Sequence, residues 1–463
     1  MSRQPRNAPE TGLGTIPRRQ WLKTAAGGLT GAVGLGALGT NRLIGETITP
    51  TGAARAKAVI LIFNCGAPSH IDLWDPKPNA ASNIRGTFQP IDTTVPGLQV
   101  TELLPRMAKH ADKLAVVRTL HHSHGGHNSG MHWSIVGRPY RIDSTLINPS
   151  PTDYPSFGTL IGWLAQRGGY SLPLPPYVIT PYPHCDSMLY LTPGQYGGCL
   201  GSRYDPFVLN ADPNAKNFQV RDMGSVEGVP GDRVAQRRAL WSQLESHGPA
   251  LATNAASDLA VNHAKAFDLM MSATGSQAFD LSREPDAVRD RYGRHSWGQS
   301  HLLARRLVEA GVKIVTTVNG PSITWDTHKQ NDKNLKDRLV PPMEQAYATL
   351  LEDLSERGLL DSTLVVWMGD FGRTPIINAE GGRDHWPQCY SMVLAGGGIR
   401  GGQVVGESDK TGGYPLARAV KPADIHATIF SALGYDSHAI TYLTTDGRPT
   451  PLSEGTVVRE LLA

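Results

Sequence analysis

Runs of β-branched and apolar residues alternate along most of this chain with segments whose apolar positions recur at helical spacing. Short apolar runs bounded by Gly, Pro, Asn or Asp predict buried strands. They cover residues 58–63, 113–120, 176–180, 313–318, 363–368 and 390–394. Helix-forming stretches cover residues 103–109, 156–167, 232–272, 297–309, 342–356 and 423–433. Strands that alternate with helices in this way predict α/β architecture, a mostly parallel sheet with helices on both faces.

One region interrupts this alternation. Residues 181–231 are rich in Gly, Pro, Asn and Asp and predict a long loop, and residues 232–272 follow as a helical stretch. We therefore expect a single domain over residues 57–463 with a loop-rich and helical insertion at about 181–272. The whole chain carries 44 basic and 41 acidic residues, and this near balance argues against a nucleic-acid partner.

The first 56 residues have the features of an export signal rather than of the fold. A polar, basic leader ends in Arg18 and Arg19, and a weakly apolar stretch follows at 25–38. This stretch is too short for a stable membrane span, which takes about 20 residues. An A-x-A pattern at 54–56 predicts cleavage before Lys57. The whole resembles a twin-arginine signal, which implies the twin-arginine export machinery as a partner and a periplasmic or extracellular location. An N-terminal anchor or a chance arginine pair is the alternative.

Three short segments near the C-terminal side concentrate acidic residues and histidines: WDTH (325–328), GDFGRT (369–374) and GRDHW (382–386). The first two follow predicted strands, so Asp326, His328 and Asp370 lie at the sheet edge where ligands usually bind. Asp326 and His328 are two residues apart, and alternate side chains of extended backbone point to one side. Asp384 and His385 form a second pair. The alternative is that Asp326 caps a turn and His328 is simply exposed. Oxygen and nitrogen ligands without cysteine suit zinc, manganese, iron, calcium or magnesium.

Further candidates follow the first two predicted strands. Asp72 and Asp75 come after the first strand, although a lone Asp in a loop is usually a turn former. Clustered imidazoles between His121 and His132 can bind metal, transfer protons or attack phosphorus. The five histidines of this segment are His121, His122, His124, His127 and His132.

Side chains suited to a nucleophile and to anion binding lie close by. Ser129 precedes Gly130 at a predicted helix start, where a hydroxyl activated by a metal could attack an anionic group. Arg373 and Arg138 are candidate clamps because a guanidinium matches the geometry of phosphate or sulfate. Most arginines only solubilise a surface, which is the alternative for both.

Seven motifs, in their joint order, resemble one family. They are GAPSHIDLWDPKP (66–78), SIVGRPY (134–140), LLARRLVEAGV (302–312), WDTH, GDFGRTP, GRDHWP and DIHATIFSALG (424–434). The family is DUF1501, a group of exported proteins of unknown function within the alkaline phosphatase and sulfatase superfamily. The resemblance covers essentially everything after the signal. It implies an alkaline-phosphatase-like α/β/α sandwich with a mostly parallel central sheet and a metal centre at the carboxyl ends of its strands.

The resemblance also implies roles for the acidic residues and histidines. Asp326 and His328 match the superfamily's Asp/His pair for one metal, and His385 matches the third ligand of that metal. Asp370 matches a ligand of a second metal, shared with an acidic residue after the first strand, for which Asp72 is the choice.

The nucleophile and the second metal depart from the superfamily's pattern. The nucleophile position falls on His127, with Ser129 nearby, where relatives have Ser, Thr or Cys. Phe371 follows Asp370 where relatives have His or Asn, and Cys65 stands where they have Asp. The first metal site is therefore expected to be complete and the second incomplete.

Together these features predict an exported, metal-dependent hydrolase of phosphate or sulfate esters. The expected cofactor is a divalent cation such as zinc, manganese or calcium, and the expected substrate is a small-molecule or polysaccharide ester. A non-catalytic envelope or binding protein that retains the alkaline-phosphatase-like fold is the alternative. Its motivation is the incomplete second site and the unusual nucleophile position.

Overall fold

The computed structural model describes residues 48–50, 52, 54–187, 189–220, 231–247 and 254–463. The predicted twin-arginine pair and apolar stretch lie outside the described residues. Parts of the predicted insertion, at 188, 221–230 and 248–253, lie outside them as well.

Helices and strands alternate along the described chain. The helices are α1 (Ser82–Arg85), α2 (Pro105–Lys109), α3 (His127–Val136), α4 (Phe157–Arg167), α5 (Gly231–His247), α6 (Asn254–Met271), α7 (Ala273–Phe279), α8 (Asp286–Tyr292), α9 (Ser296–Glu309), α10 (Asn331–Asn334), α11 (Val340–Glu356) and α12 (Pro422–Ala432). The strands are β1 (Ala58–Asn64), β2 (Pro90–Asp92), β3 (Gln99–Thr101), β4 (Leu114–Leu120), β5 (Tyr177–Thr180), β6 (Cys185–Ser187), β7 (Tyr190–Leu191), β8 (Phe207–Val208), β9 (Ile314–Val318), β10 (Thr363–Gly369), β11 (Gly372–Arg373), β12 (His385–Trp386), β13 (Tyr390–Ala395), β14 (Gln403–Val405), β15 (Glu407–Ser408), β16 (Pro415–Ala417), β17 (Thr441–Leu443) and β18 (Pro449–Pro451).

An eight-stranded sheet forms the centre of the fold, in the order β14-β4-β13-β10-β1-β9-β5-β8. Only β13 is antiparallel to its two neighbours, and every other pair in the sheet is parallel. The predicted α/β class with a mostly parallel sheet is confirmed. The prediction from sequence did not include β8, a two-residue strand at the edge of the sheet, because so short a strand has no readable alternation.

Two hydrophobic clusters cover opposite faces of the sheet, since successive side chains of a strand point to opposite sides. Ile60 and Ile62 of β1 belong to the cluster that includes α9 and α11, while Leu61 and Phe63 belong to the cluster that includes α3, α4 and α12. The chain therefore forms three layers, with helices on both faces of a central sheet.

The three central strands end at one edge of the sheet. Asn64 at the end of β1 pairs with Gly369 of β10, and Phe63 pairs with Val318 of β9. Because these strands are parallel, the loops that follow them leave from the same edge. Asp326 and Asp370 stand on two of these loops.

The segment before β1 is hydrogen-bonded to the domain. The backbone amides of Arg55 and Ala56 donate to the carbonyl of Ala432, and that of Lys57 donates to the carbonyl of Ser362. Ala56 is only 2% exposed. The predicted cleavage point before Lys57 therefore lies in an ordered part of the fold. Among the described residues, no helix is long and apolar enough to span a bilayer.

Candidate metal centre

The loop after β10 brings the predicted site residues together. Asp370 comes directly after β10, and the chain then forms β11, which pairs with β12 so that Arg373 lies opposite His385. His127 is the first residue of α3 on the adjoining face. The sequence separates these residues by up to 258 positions, and the sheet edge unites them.

Three imidazoles and one carboxylate converge. Nε2 of His385 lies 3.0 Å from Nε2 of His328 and 3.3 Å from Oδ1 of Asp326. Nε2 of His328 lies 3.2 Å from the same carboxylate oxygen. Nε2 of His127 lies 3.5 Å from Oδ2 of Asp326. Ligand atoms of His127, Asp326 and His385 all lie within 4.8 Å of one another.

The other ring nitrogen of each imidazole donates to an oxygen that can only accept. Nδ1 of His127 donates to Asp370 and Nδ1 of His328 donates to Asp384, both at 2.6 Å. Nδ1 of His385 donates to the carbonyl of Gly125, also at 2.6 Å. A neutral imidazole has one proton, so these bonds leave the Nε2 atoms of neutral His328 and His385 with free lone pairs. His127, whose pKa is raised to about 9, carries a proton on Nε2 as well, and a cation would have to displace it. Histidines that bind metal are held in this way by their outer partners.

The donor set fits a divalent cation. A tetrahedral zinc ion with bonds of about 2.0–2.1 Å places its ligand atoms about 3.3 Å apart. Three of the separations above are 3.0–3.3 Å, between Asp326, His328 and His385. Two imidazole nitrogens 3.0 Å apart without a proton between them repel one another unless a cation lies between their lone pairs. His127, considered from the sequence as a nucleophile, lies against the other oxygen of Asp326 and forms a group with Asp326 and His385 that does not include His328.

The charges of the cluster shift one another's pKa values. Burial raises the pKa of Asp326, but hydrogen bonds from His127 and His385 together with the charge of Arg373 hold it well below its usual range. Burial lowers the pKa of His127, yet Asp326 and Asp370 outweigh this effect and raise it to about 9. Burial lowers the pKa of His385. Asp326 is therefore fully ionised and available as an anionic ligand.

Asp370 is held by the backbone that follows β1. The amides of Gly66 and Ala67 donate to its carboxylate at 3.0–3.2 Å, and His127 donates at 2.6 Å. Gly66 has a φ of +104°, and a Cβ there would lie 2.6 Å from the amide nitrogen of Asp326. Only glycine fits this turn. Asp370 therefore orients His127 and has its remaining acceptor capacity filled by the chain itself.

The guanidinium of Arg373 forms an ion pair with Asp326. It is fully buried, donates to Oδ1 of Asp326 at 2.6 Å and to the carbonyl of Ala67 at 2.8 Å, and also contacts the carbonyl of Gly66. Its donors are thus committed to protein groups. Arg373 belongs to the centre, but as a fixed cation paired with Asp326 rather than as a free clamp for substrate.

Phe371 takes a packing role at the position where the sequence resemblance implied a ligand. Its ring lies 5.1 Å from that of His127 and 4.8 Å from that of His385. A Cβ on Gly130 of α3 would lie 2.6 Å from the Phe371 ring, so α3 approaches it closely. The aromatic ring forms an apolar wall against two imidazoles of the cluster.

Asp72 lies apart from the cluster, and its part in a second metal stays a prediction. Arg383 donates to both of its carboxylate oxygens at 2.7 and 2.9 Å, and both side chains are fully buried. Ser69 and Asn331 fill its remaining acceptor sites. A bidentate pair of this kind neutralises the carboxylate. Arg383 gave no signal in the sequence beyond its place in GRDHW.

Ser129 and Arg138 are also placed away from the four donors. The hydroxyl of Ser129 donates to Asp143 at 2.6 Å and to the carbonyl of Gly126. Arg138 pairs with Glu454 at 2.6 Å and stacks on the ring of Tyr154. Both side chains thus have structural partners, and their action at the site stays a prediction.

The remaining histidines of the 121–132 segment support the centre or the core. His122 is buried, donates Nε2–H to the backbone carbonyl of Asp370 at 2.7 Å and stacks on Trp133. His132 is buried on α3 against Tyr140. Of the five, only His127 belongs to the donor cluster.

The fold and the cluster together define an α/β protein with a candidate cation site at the carboxyl edge of its sheet. The chain matches DUF1501, described as a protein family of unknown function, over residues 56–462, and so belongs to that family. The predicted membership is confirmed. The search of curated proteins gave no match.

Several solved structures are similar to this chain. The sulfatase PsFucS1 of Pseudoalteromonas sp. is 14% identical, with 82% of this chain and 68% of that chain covered and a TM-score of 0.35. The lipoteichoic acid synthase LtaP of Listeria monocytogenes is 11% identical, with 83% and 73% covered and a TM-score of 0.38. The phosphonate monoester hydrolase SpPMH of Silicibacter pomeroyi is 13% identical, with 87% and 76% covered and a TM-score of 0.34. At these TM-scores the similarities carry no argument about the chemistry of this chain.

Proposed function

We propose that this protein is a metal-dependent hydrolase of phosphate or sulfate esters. The observation that supports it is the convergence of three imidazole Nε2 atoms on the Asp326 carboxylate, with every Nδ1–H committed to an outer acceptor. Asp326, His328 and His385 would hold a divalent cation such as zinc or manganese, and His127 would lie beside it, against the other oxygen of Asp326. A bound cation supplies Lewis acidity and neutralises charge that develops on an ester oxygen.

The chain's own residues prepare the site for this chemistry. Asp370 fixes the ring of His127 so that Nε2 faces the cluster, and Arg373 keeps a permanent positive charge next to Asp326. Phe371 excludes water from one side of the imidazoles, which strengthens electrostatic interactions there. His328, with a side chain 40% exposed, lies on the open side from which substrate would enter.

We further propose that the centre holds one cation rather than two. The two carboxylates assigned from sequence to a second metal are both saturated, Asp370 by backbone amides and His127, and Asp72 by Arg383. The Arg373 guanidinium supplies the second positive charge. A single-cation hydrolase would use Arg373 in the electrostatic role that a second metal plays elsewhere.

Export through the twin-arginine route remains part of this proposal. Its support is the Arg18–Arg19 pair followed by the weakly apolar stretch. A protein that folds in the cytoplasm before export can acquire its cation there, and the enzyme would act in the periplasm or outside the cell.

A non-catalytic cation-binding protein is the second candidate. Ser129, the hydroxyl nearest in sequence to His127, is engaged with Asp143, which favours a protein without a side-chain nucleophile. In that case the cation would stabilise the loops at the sheet edge. Removing it would lower thermal stability without abolishing any hydrolysis.

Metal analysis and ester assays test both candidates. We expect the purified protein to contain about one divalent cation per chain, and Asp326→Asn and His385→Ala to weaken cation binding by more than the 10–100-fold that loss of an outer partner costs. Asp112→Asn, at an exposed side chain of the same type, is the control. Hydrolysis of aryl phosphates, phosphodiesters or aryl sulfates should fall in parallel with the cation. Protein that remains free of stoichiometric metal after growth with zinc, manganese and calcium excludes both candidates.

A further inference from the structure

Three large aliphatic side chains are exposed on two loops beside the N-terminus of α3. Ile142 and Leu146, on the loop after α3, are 53% and 65% exposed, and Leu189, between β6 and β7, is 78% exposed. We call these three residues the apolar rim. Single exposed aliphatic residues are ordinary, but a group of them next to a site marks a binding surface.

One side chain holds the two loops together. The side-chain nitrogen Nδ2 of Asn128, in the first turn of α3, lies 3.0 Å from the carbonyl oxygens of both Thr145 and Ile147. It lies 2.9 Å from the carbonyl oxygen of Tyr190. Leu146 lies between the first two of these residues, and Leu189 directly precedes the third. The shared nitrogen therefore keeps the loops that carry Leu146 and Leu189 side by side.

Hydrogen bonds join the rim to the metal centre. The residue after Ile142 is Asp143, which accepts from the amides of Gly125 and Gly126 at 2.9 and 2.8 Å. The carbonyl of Gly125 in turn accepts from Nδ1 of His385. One residue, Gly125, thus contacts both the loop of the rim and a ligand of the proposed cation. The loop that carries Ile142 and Leu146 is therefore hydrogen-bonded directly to the segment that holds His385.

We propose that the substrate is an anionic amphiphile, an ester whose charged group binds at the metal centre and whose alkyl chain lies on the apolar rim. This inference rests on the proposed function, because the centre selects the phosphate or sulfate group. The rim adds what the centre lacks, namely apolar surface for the part of the substrate that does not react. Binding energy gained there would hold the ester group at the cluster.

Non-hydrolysable alkylphosphonates separate the two contributions. Calorimetric titration of the metal-loaded protein would compare ethylphosphonate with octylphosphonate, below the concentration at which the octyl compound aggregates. A methylene that leaves water completely improves affinity by about fourfold. On a half-open surface we expect octylphosphonate to bind at least about tenfold more tightly than ethylphosphonate.

Substitutions in the rim should remove this gain alone. In the double variant Leu146→Ser/Leu189→Ser, we expect about tenfold weaker binding of octylphosphonate and unchanged binding of ethylphosphonate. Leu259→Ser, at a similarly exposed leucine of α6, is the matched control and should change neither.

The outcomes distinguish the inference from the function on which it rests. Equal affinities of the two phosphonates would overturn the amphiphile, and an octyl preference that survives the double variant would overturn the rim as the surface that binds the alkyl chain. Both outcomes leave the metal centre standing. If neither phosphonate nor the corresponding alkylsulfonates bind to protein shown to carry its cation, the centre does not accept anionic esters, and the proposed function fails together with the inference.

Discussion

Arg373 and Arg383 are the two fully buried guanidinium groups around the candidate site, and each has one carboxylate partner. Each also donates to backbone carbonyls of neighbouring loops, so each arginine links several segments of the sheet edge. A buried ion pair costs free energy of desolvation, and removing one partner leaves the other charge uncompensated. These arginines therefore fix the loops that carry the ligands. Arg383 neutralises Asp72, while Arg373 holds Asp326 in place within the proposed ligand set.

The structural role of Asp72 can be tested against its predicted role as a ligand. Asp72→Asn leaves Arg383 buried without an anion, and we expect the free energy of unfolding in urea to fall by about 3 kcal/mol. The number of bound cations per chain should not change. Combining it with Arg383→Gln removes the orphan charge and should restore part of the stability. Loss of the cation in Asp72→Asn alone would instead establish Asp72 as a ligand.

At the scale of elements, α3 connects the metal centre to the hydrophobic core. His127 begins the helix at the cluster, and His132 lies one turn further along, fully buried. His426 of α12 donates Nε2–H to the carbonyl of Ser134 from the other side. Burial lowers the pKa of His132 to about 3 and that of His426 to about 4. The contact between α3 and α12 thus contains the neutral imidazole of His426, while neutral His132 is buried against Tyr140.

These two histidines predict an acid-sensitive fold. In the unfolded chain a histidine has a pKa of about 6.5, so between about pH 6.5 and pH 4 the unfolded state binds more protons than the folded state. The free energy of unfolding should therefore fall as the pH is lowered through this window, by about 1.4 kcal/mol per pH unit for each histidine. Urea unfolding at pH 7.5, 6.5, 5.5 and 4.5 measures the slope.

A single variant assigns part of that slope. His132→Gln keeps a polar side chain but removes the titration, so its unfolding free energy should depend less on pH by about one proton. His438→Gln, at an exposed histidine, should leave the slope as it is. A slope that is identical in all three proteins would show that folding does not lower the pKa of His132.

At the scale of the whole molecule, the segment just before β1 is already part of the folded domain. Residues 54–57 lie beside the C-terminal end of α12 and lead into β1. The backbone amides of residues 55–57 donate to the carbonyls of Ala432 and Ser362. A protease needs an extended segment in its active site, which here requires these bonds to open. Processing before Lys57 would therefore act on the unfolded precursor far faster than on the folded one.

Limited digestion with trypsin examines this protection, because the enzyme cuts after Arg55 and Lys57. We expect the folded protein to resist cleavage at both bonds by at least about 100-fold relative to a synthetic peptide of residues 48–60, with cleavage sites read by mass spectrometry. The amides of both residues adjoin the bonds described above. Equal rates for the peptide and the folded protein would mean that the segment opens freely.

Much of the fold could be read from the sequence because strands and helices are local patterns. The runs at 58–63, 313–318 and 363–368 correspond to β1, β9 and β10, each within a residue or so of its bounds. The reversed direction of β13 could not be read, because a fully buried strand has the same apolar pattern in either direction. The strands β6, β7 and β8 could not be predicted either, because each is only two or three residues long.

The candidate site was also predicted only in part. Asp326, His328 and His385 were named from local motifs, and these short-range pairs do converge. The partners of Asp72 and Arg138 lie 311 and 316 residues away, so nothing in the neighbouring sequence indicated that they are ion-paired elsewhere. The partner of Ser129 is nearer in the sequence, but it was not predicted either. Asp143, 14 residues further on, accepts from the Ser129 hydroxyl because its loop folds back onto the start of α3.

The sequence by itself determined the α/β class, the family and the residue types that can hold a cation, because those depend on periodicity and on chemistry written in single residues. Only the tertiary structure decided which carboxylates remain available. Asp326 faces three imidazole Nε2 atoms, while Asp72 accepts from Arg383 and Asp370 accepts from backbone amides and His127. The reason is physical: availability depends on which opposite charges and donors the packed loops bring within about 3 Å, and a linear chain does not specify that distance.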